Sequence, residues 1–182
     1  LLTTLLLQGV LGRLVTLPQQ QDLDPSEYPI LTVFAWVVMG ALVAGVVEET
    51  AFRGYIQGGV ERRHGLTTAI LVTGSLFSLS HFTHPEVGLV LLPFYLTVAA
   101  VYGLLAAATN STYPSMVLHA GGNAFSAFSL FTQGRSEWQL TAVPPPTIWR
   151  TGIDGSFLAS LAILVVVGAA TVMAYRGLFR AS

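Results

Sequence analysis

The chain has 182 residues, 53% of them hydrophobic and only 9% charged, with a net charge of −1 and no Cys. A soluble domain carries about 25% charged residues, so this composition, with a mean hydropathy of +0.67, points to the membrane and gives no footprint for nucleic acid. All eight basic residues are Arg, which argues against a polybasic patch, and the lack of Cys excludes disulfides, thiolate metal sites and thiol nucleophiles.

Leu1–Leu17 is helical in pattern but interrupted by Arg13, and reads as a truncated span. The chain opens on Leu1 without a basic n-region or cleavage site, so it is expected to be a fragment of a longer protein rather than to carry a signal peptide. An acidic connector follows, Pro18 to Pro29, with Asp22, Asp24 and Glu27. Ile30–Val47 holds no charged side chain and is the first full span. Its helix is expected to run on to a turn at Glu61-Arg62-Arg63-His64-Gly65. Leu66–Phe82 forms the next span, ended by His84-Pro85-Glu86. Between Val87 and Gly134 there is no Asp, Glu, Lys or Arg, enough for two crossings of ~20 residues. A break at Asn110–Pro114 divides this stretch into Val87–Ala108 and Pro114–Phe131. The loop Thr132–Gly155 carries Pro144–Pro146, and Ser156–Tyr175 is the last span, followed by Arg176 and Arg180.

The expected fold is therefore all-α: a polytopic transmembrane bundle of about six membrane-associated helices, one domain over 1–182 with its core at 30–131. Alternating loops put Arg62, Arg63, Arg176 and Arg180 on one side and Arg13, Arg135 and Arg150 on the other. The positive-inside rule then places the C-terminus in the cytoplasm, of a bacterial-type plasma membrane.

The chemistry lies in the polar residues within the spans. Glu48 and Glu49 end an apolar run, where each costs roughly 2.5 to 3.5 kcal/mol on insertion scales, so they should face the bundle interior and a functional site. Arg53 sits four residues after Glu49, on the same helical face. His81 follows Phe77 at the same spacing, and so does Asn123 after His119. The two Gly between His119 and Asn123 allow a helix or a substrate backbone to come close. Three helices thus supply a carboxylate pair, an imidazole and an imidazole–amide pair, which suits activation of a water and stabilisation of an oxyanion. Plainer readings exist for each. Asn in a span is often helix–helix glue, Glu49–Arg53 can be a structural ion pair, and a lone His can be a hydrogen-bonded packing residue. Trp36, Tyr55, Phe94 and Tyr95 read as packing or interfacial aromatics, and His64 and His84 as turn residues. Co-occurrence of the elements on separate spans favours function. One demand follows: His81 is near the loop opposite the Arg62 turn, so a bend at Gly54, Gly58 or Gly59 is expected to bring it level with Glu48.

Glu-Glu-x-x-x-Arg (Glu48, Glu49, Arg53), Phe-x-x-x-His (Phe77, His81) and His-x-x-x-Asn (His119, Asn123) together resemble the signature of the CPBP family, the CAAX prenyl endopeptidase and bacteriocin-processing intramembrane proteases, also called Abi. Phe52-Arg53-Gly54-Tyr55 is similar to the flank of the first motif, and the resemblance covers about Ile30 to Phe131. It implies an intramembrane endopeptidase whose cavity admits a peptide or a prenylated or membrane-associated protein. Glu48 would be the general base, His81 would hold or polarise the water, His119 with Asn123 would form the oxyanion site, and Glu49 with Arg53 would support the geometry. A catalytic zinc held by Glu48, His81 and His119, with Glu49 as base, is the alternative to direct glutamate catalysis; the direct route, with no firm cofactor, is preferred. Two rivals from other classes are a non-catalytic immunity or scaffold protein using the same cavity and a transporter or proton relay.

Overall fold

The computed structural model describes residues 2–17, 27–83, 91–133 and 145–181. The acidic connector after Pro18, the His84-Pro85-Glu86 end of the third span, the first residues of the Val87 span, and Arg135 with Pro144 lie outside them. The described residues contain helices and no strand. They are α1 (Leu2–Leu14), α2 (Ile30–Val38), α3 (Gly58–Ser80), α4 (Leu92–Thr109), α5 (Tyr113–Gln133), the short α6 (Ile148–Thr151) and α7 (Gly155–Ala181). Between α2 and α3 the helix widens into two π-helical stretches, Met39–Glu48 and Thr50–Gln57, a form concentrated at functional sites. Among the described residues, three helical runs are long and apolar enough to cross a membrane: Ile30–Ser80, Leu92–Thr109 and Gly155–Ala181. The chain is a helical membrane bundle.

Residues 30–80 form two helical limbs that reverse direction at Gly65, whose φ of 80° and ψ of 167° leave the helical region. That backbone conformation is essentially open to Gly alone. The reversal is visible in Phe52 and Phe77, whose ring centroids lie 5.3 Å apart; an unbroken helix of that span would separate them by about 37 Å at 1.5 Å per residue. The expected turn is thus a single residue at the end of the expected segment. It also corrects the anticipated bend: Gly54, Gly58 and Gly59 stay helical, and folding back at Gly65 brings the second limb level with the first.

α4 runs parallel to the Glu48-bearing limb. Arg53 Nη2 donates to Ala99 O at 3.5 Å, and Gln57 Nε2 donates to Gly103 O at 2.9 Å one turn further on. Gly103 allows this approach, since a Cβ there would stand 2.7 Å from Gln57 Oε1. Asn110 closes α4 in the left-handed conformation, φ 47° and ψ 38°, as helix C-termini often do, and α5 returns from it. α1 and α7 are antiparallel partners. Thr3 and Thr171 hydroxyls meet at 2.8 Å, and Arg13 pairs with Asp154 at 2.6 Å near the opposite ends. Arg13 also donates to Pro146 O at 2.9 Å and Ser156 Oγ at 2.9 Å, while Trp149 Nε1 donates to Leu14 O at 2.6 Å. Leu11 and Leu17 reach the apolar core of Phe77, Leu91, Phe94, Tyr95 and Ala99 near the start of α4. These contacts set Arg13 and Arg150 at one end of the bundle, and Arg62, Arg63, Arg176 and Arg180 at the other.

Candidate active site

The π-helical limb presents Glu49, Arg53 and Gln57 at four-residue intervals, and all three are buried, at 0%, 3% and 2% exposure. Arg53 Nη1 stands 2.9 Å from Glu49 Oε1, off the line of a hydrogen bond. A charge pair this deep persists only with further support, and aromatic faces surround the guanidinium: its carbon lies 4.5 Å from the Phe77 centroid, 5.3 Å from Tyr102 and 5.9 Å from Phe52.

His119 reaches the same carboxylate from α5. Its Nδ1 lies 2.9 Å from Glu49 Oε1, and since a carboxylate accepts, Nδ1 is the donor. The other ring nitrogen, Nε2, lies 3.9 Å from Glu48 Oε2. That is beyond a hydrogen bond and close enough for both atoms to address one small polar group between them. The Glu48 side chain is one-third exposed, yet its Oε2 is buried and lacks a hydrogen-bond partner among the described residues. α5 comes this near because Gly45 lies against Ala120: a Cβ on Gly45 would stand 2.9 Å from Ala120 Cβ and 3.0 Å from its backbone N.

Asn123 Nδ2 donates to Gly40 O at 3.1 Å, a bond between helices that still leaves one amide hydrogen. Asn123 also lines a cavity of about 180 Å³ with Trp36, Gly40 and Ser126. Phe77 packs against both imidazoles: its centroid is 4.6 Å from the His81 ring and 6.1 Å from the His119 ring. His81 stacks on Tyr95 at 4.3 Å, and its Nδ1 is 2.8 Å from Phe77 O. Glu48, Glu49, Arg53 and His119 therefore form one contiguous cluster, with His81 linked to it through a shared contact with Phe77 and Asn123 one turn beyond His119.

The candidate zinc set does not assemble. Among the described residues no three His, Asp or Glu side chains stand together as metal ligands, and the Nδ1 face of His119 is turned to Glu49. Sequence reasoning missed Gln57 and Tyr102 and set Tyr95 aside. The signal available was periodic: Gln57 continues the four-residue spacing of Glu49 and Arg53, and Tyr95 and Tyr102 lie seven apart on one face of α4, with Ala99 and Gly103 between or beside them.

Fold and site define a membrane helical bundle built round a buried acid–imidazole cluster. Residues 30–125, just over half of the chain, match the family described as type II CAAX prenyl endopeptidase Rce1-like. The chain belongs to that family, one of CAAX-type proteases, and the matched stretch contains all six expected site residues. No curated protein and no solved structure matches it.

Proposed function

We propose that the protein is an intramembrane endopeptidase that hydrolyses a peptide bond of a peptide or a prenylated or membrane-associated protein with water activated by Glu48. The observation that supports this reading best is the single imidazole of His119, held by Glu49 through Nδ1 and facing Glu48 through Nε2 at 3.9 Å. A water between Nε2 and Glu48 Oε2 loses a proton to the carboxylate as its oxygen bonds to the scissile carbonyl carbon. The carbonyl π electrons move to oxygen; on collapse the C–N bond breaks and Glu48 returns the proton to the leaving amine. Glu49 and Arg53 act at one remove by fixing the imidazole, and the second amide hydrogen of Asn123, with His81 packed on Phe77, belongs to the surroundings of the substrate carbonyl. Such prepositioned donors gain strength where water is excluded. The membrane is the plasma membrane, with the Arg62–Arg63 turn and the C-terminus cytoplasmic.

The test is cleavage of a peptide library in detergent by the wild type and Glu48→Gln side by side. Gln keeps shape and hydrogen bonding but takes no proton, so activity should fall by at least the 10² to 10⁴-fold typical of a lost general base, with helicity intact. Equal cleavage by a folded Glu48→Gln protein ends the assignment. Binding of peptides without cleavage by the wild type would point to the immunity or scaffold reading.

A further inference from the structure

Tyr102 belongs to none of the three motifs, yet its ring lies against the centre of the cluster. It is buried on α4, and it stacks on the His119 imidazole with centroids 5.0 Å apart and planes inclined by 26°. The Phe77 ring meets the same imidazole edge-on, at 6.1 Å and 72°. The outer torsion of a histidine is a broad, roughly two-fold well, so the side chain's own preference does not choose the plane of the ring. A quarter-turn about it would tip the ring out of this plane and swing Nδ1 out of line with Glu49 and Nε2 away from Glu48. The 2.9 Å bond to Glu49 and the 3.9 Å approach to Glu48 exist only in the plane that the Tyr102 face and the Phe77 edge permit. The guanidinium of Arg53, the other partner of Glu49, lies 5.3 Å from the Tyr102 centroid, a cation–π distance. One ring thus touches both groups that hold the buried carboxylate.

We propose that Tyr102 is a positioning residue whose stacked ring fixes the plane of His119, so that Nδ1 donates to Glu49 and Nε2 faces Glu48. Its kinetic consequence rests on the hydrolytic reading above; its effect on the imidazole does not. The aromatic face is the working part, so Phe should replace Tyr102 and an aliphatic residue should not.

The test combines two measurements on the intact chain in detergent micelles, for wild type, Tyr102→Phe and Tyr102→Leu. With ¹⁵N-labelled histidine, and the His119 signal assigned by its loss in His119→Gln, the wild type and Tyr102→Phe should show a hydrogen-bonded Nδ1–H on His119. Tyr102→Leu should lose that signal. In peptide cleavage, Tyr102→Phe should keep the wild-type kcat, while Tyr102→Leu should lose on the order of 10²-fold in kcat, the scale of a small misplacement, at unchanged KM. If Tyr102→Leu does not fold, Tyr102→Met, closer in length, replaces it. A wild-type Nδ1–H signal in the aliphatic variant overturns the proposal, and so does a Tyr102→Phe as impaired as Tyr102→Leu. If the wild type cleaves nothing while the aliphatic variant still loses the signal, the hydrolytic reading fails and the positioning role stands.

Discussion

Phe52 and Phe77 meet edge to face, at 5.3 Å and 84°, across a reversal made by one residue. Everything C-terminal to Gly65 in that run, including His81, owes its place beside the carboxylate limb to a backbone conformation at φ 80°, ψ 167°. Ala at Gly65 is expected to destabilise the protein by about 1 to 3 kcal/mol, the usual cost of such a conformation without Gly. Gly59 is helical with open space around its Cα, so Ala there should be neutral or stabilising by up to ~1 kcal/mol. Thermal unfolding of the two variants in one detergent checks the contrast; equal midpoints would remove Gly65 from this role.

Gly45 and Ala120 set the distance between the two walls of the site. Ala at position 45 would collide with Ala120 Cβ at 2.9 Å and push α5 outward, carrying His119 away from Glu49. Overpacking of this kind costs typically 1 to 3 kcal/mol, and cleavage should fall as well. Because backbone atoms of Ala120 lie as near as its Cβ, adding Ala120→Gly should restore stability and activity only in part. Wild-type activity in Gly45→Ala alone would show that the walls tolerate a wider gap.

Much of this arrangement could be read in advance where the physics is local. Uncharged runs such as Ile30–Val47 announce burial in lipid, and four-residue spacing put Glu49 and Arg53 on one face, where they pair at 2.9 Å. Pairing between distant segments leaves no local trace: nothing near Arg13 announces Asp154, and nothing near His119 announces that Nδ1 belongs to Glu49. A tyrosine in an apolar span carries the same signature whether it packs against leucine or against a site, which is why Tyr102 stayed hidden. The reversal falls within the expected Glu61–Gly65 turn, and because Glu48 and His81 stand 17 and 16 residues from Gly65 on either limb, the two are level without the bend expected at Gly54, Gly58 or Gly59.

The Arg13–Asp154 contact predicts an acid-dependent loss of stability. Asp154 accepts from Arg13 at 2.6 Å, from Ser156 Oγ at 2.6 Å and from Phe157 N at 2.8 Å. These bonds, that of Arg13 first, hold its carboxyl well below the usual range. A carboxyl depressed in the folded state contributes stability that is complete above its unfolded value of about 3.9 and lost as pH falls below it. The unfolding midpoint should therefore drop more between pH 5 and 3, a window around that ~3.9 value, in the wild type than in Asp154→Asn. Parallel curves would place the acid sensitivity elsewhere.

Direct glutamate catalysis predicts indifference to chelators. After dialysis against a chelator, peptide cleavage should persist unchanged, and added zinc should not raise it. Loss of activity with recovery on zinc, together with stoichiometric bound metal, would favour a metal reading and require Glu48, His81 and His119 to rearrange from the positions seen here.

The two adjacent carboxylates should separate in their mutational signatures. Glu48 has its side chain one-third exposed, with no ion pair to Arg53, whereas Glu49 is wholly buried between Arg53 and His119. Removing the charge of Glu49 leaves the Arg53 guanidinium uncompensated, and breaking one side of a buried pair typically costs 3 to 5 kcal/mol. Glu49→Gln is therefore expected to lower the unfolding midpoint strongly and to lose activity, because the Gln amide no longer holds the imidazole as an anion does. Glu48→Gln is expected to lose activity alone, with a midpoint close to wild type. Unfolding and cleavage measured on the same preparations decide the matter. If Glu48→Gln proves the less stable of the two, the division of labour between base and scaffold is the reverse of the one drawn from the His119 geometry.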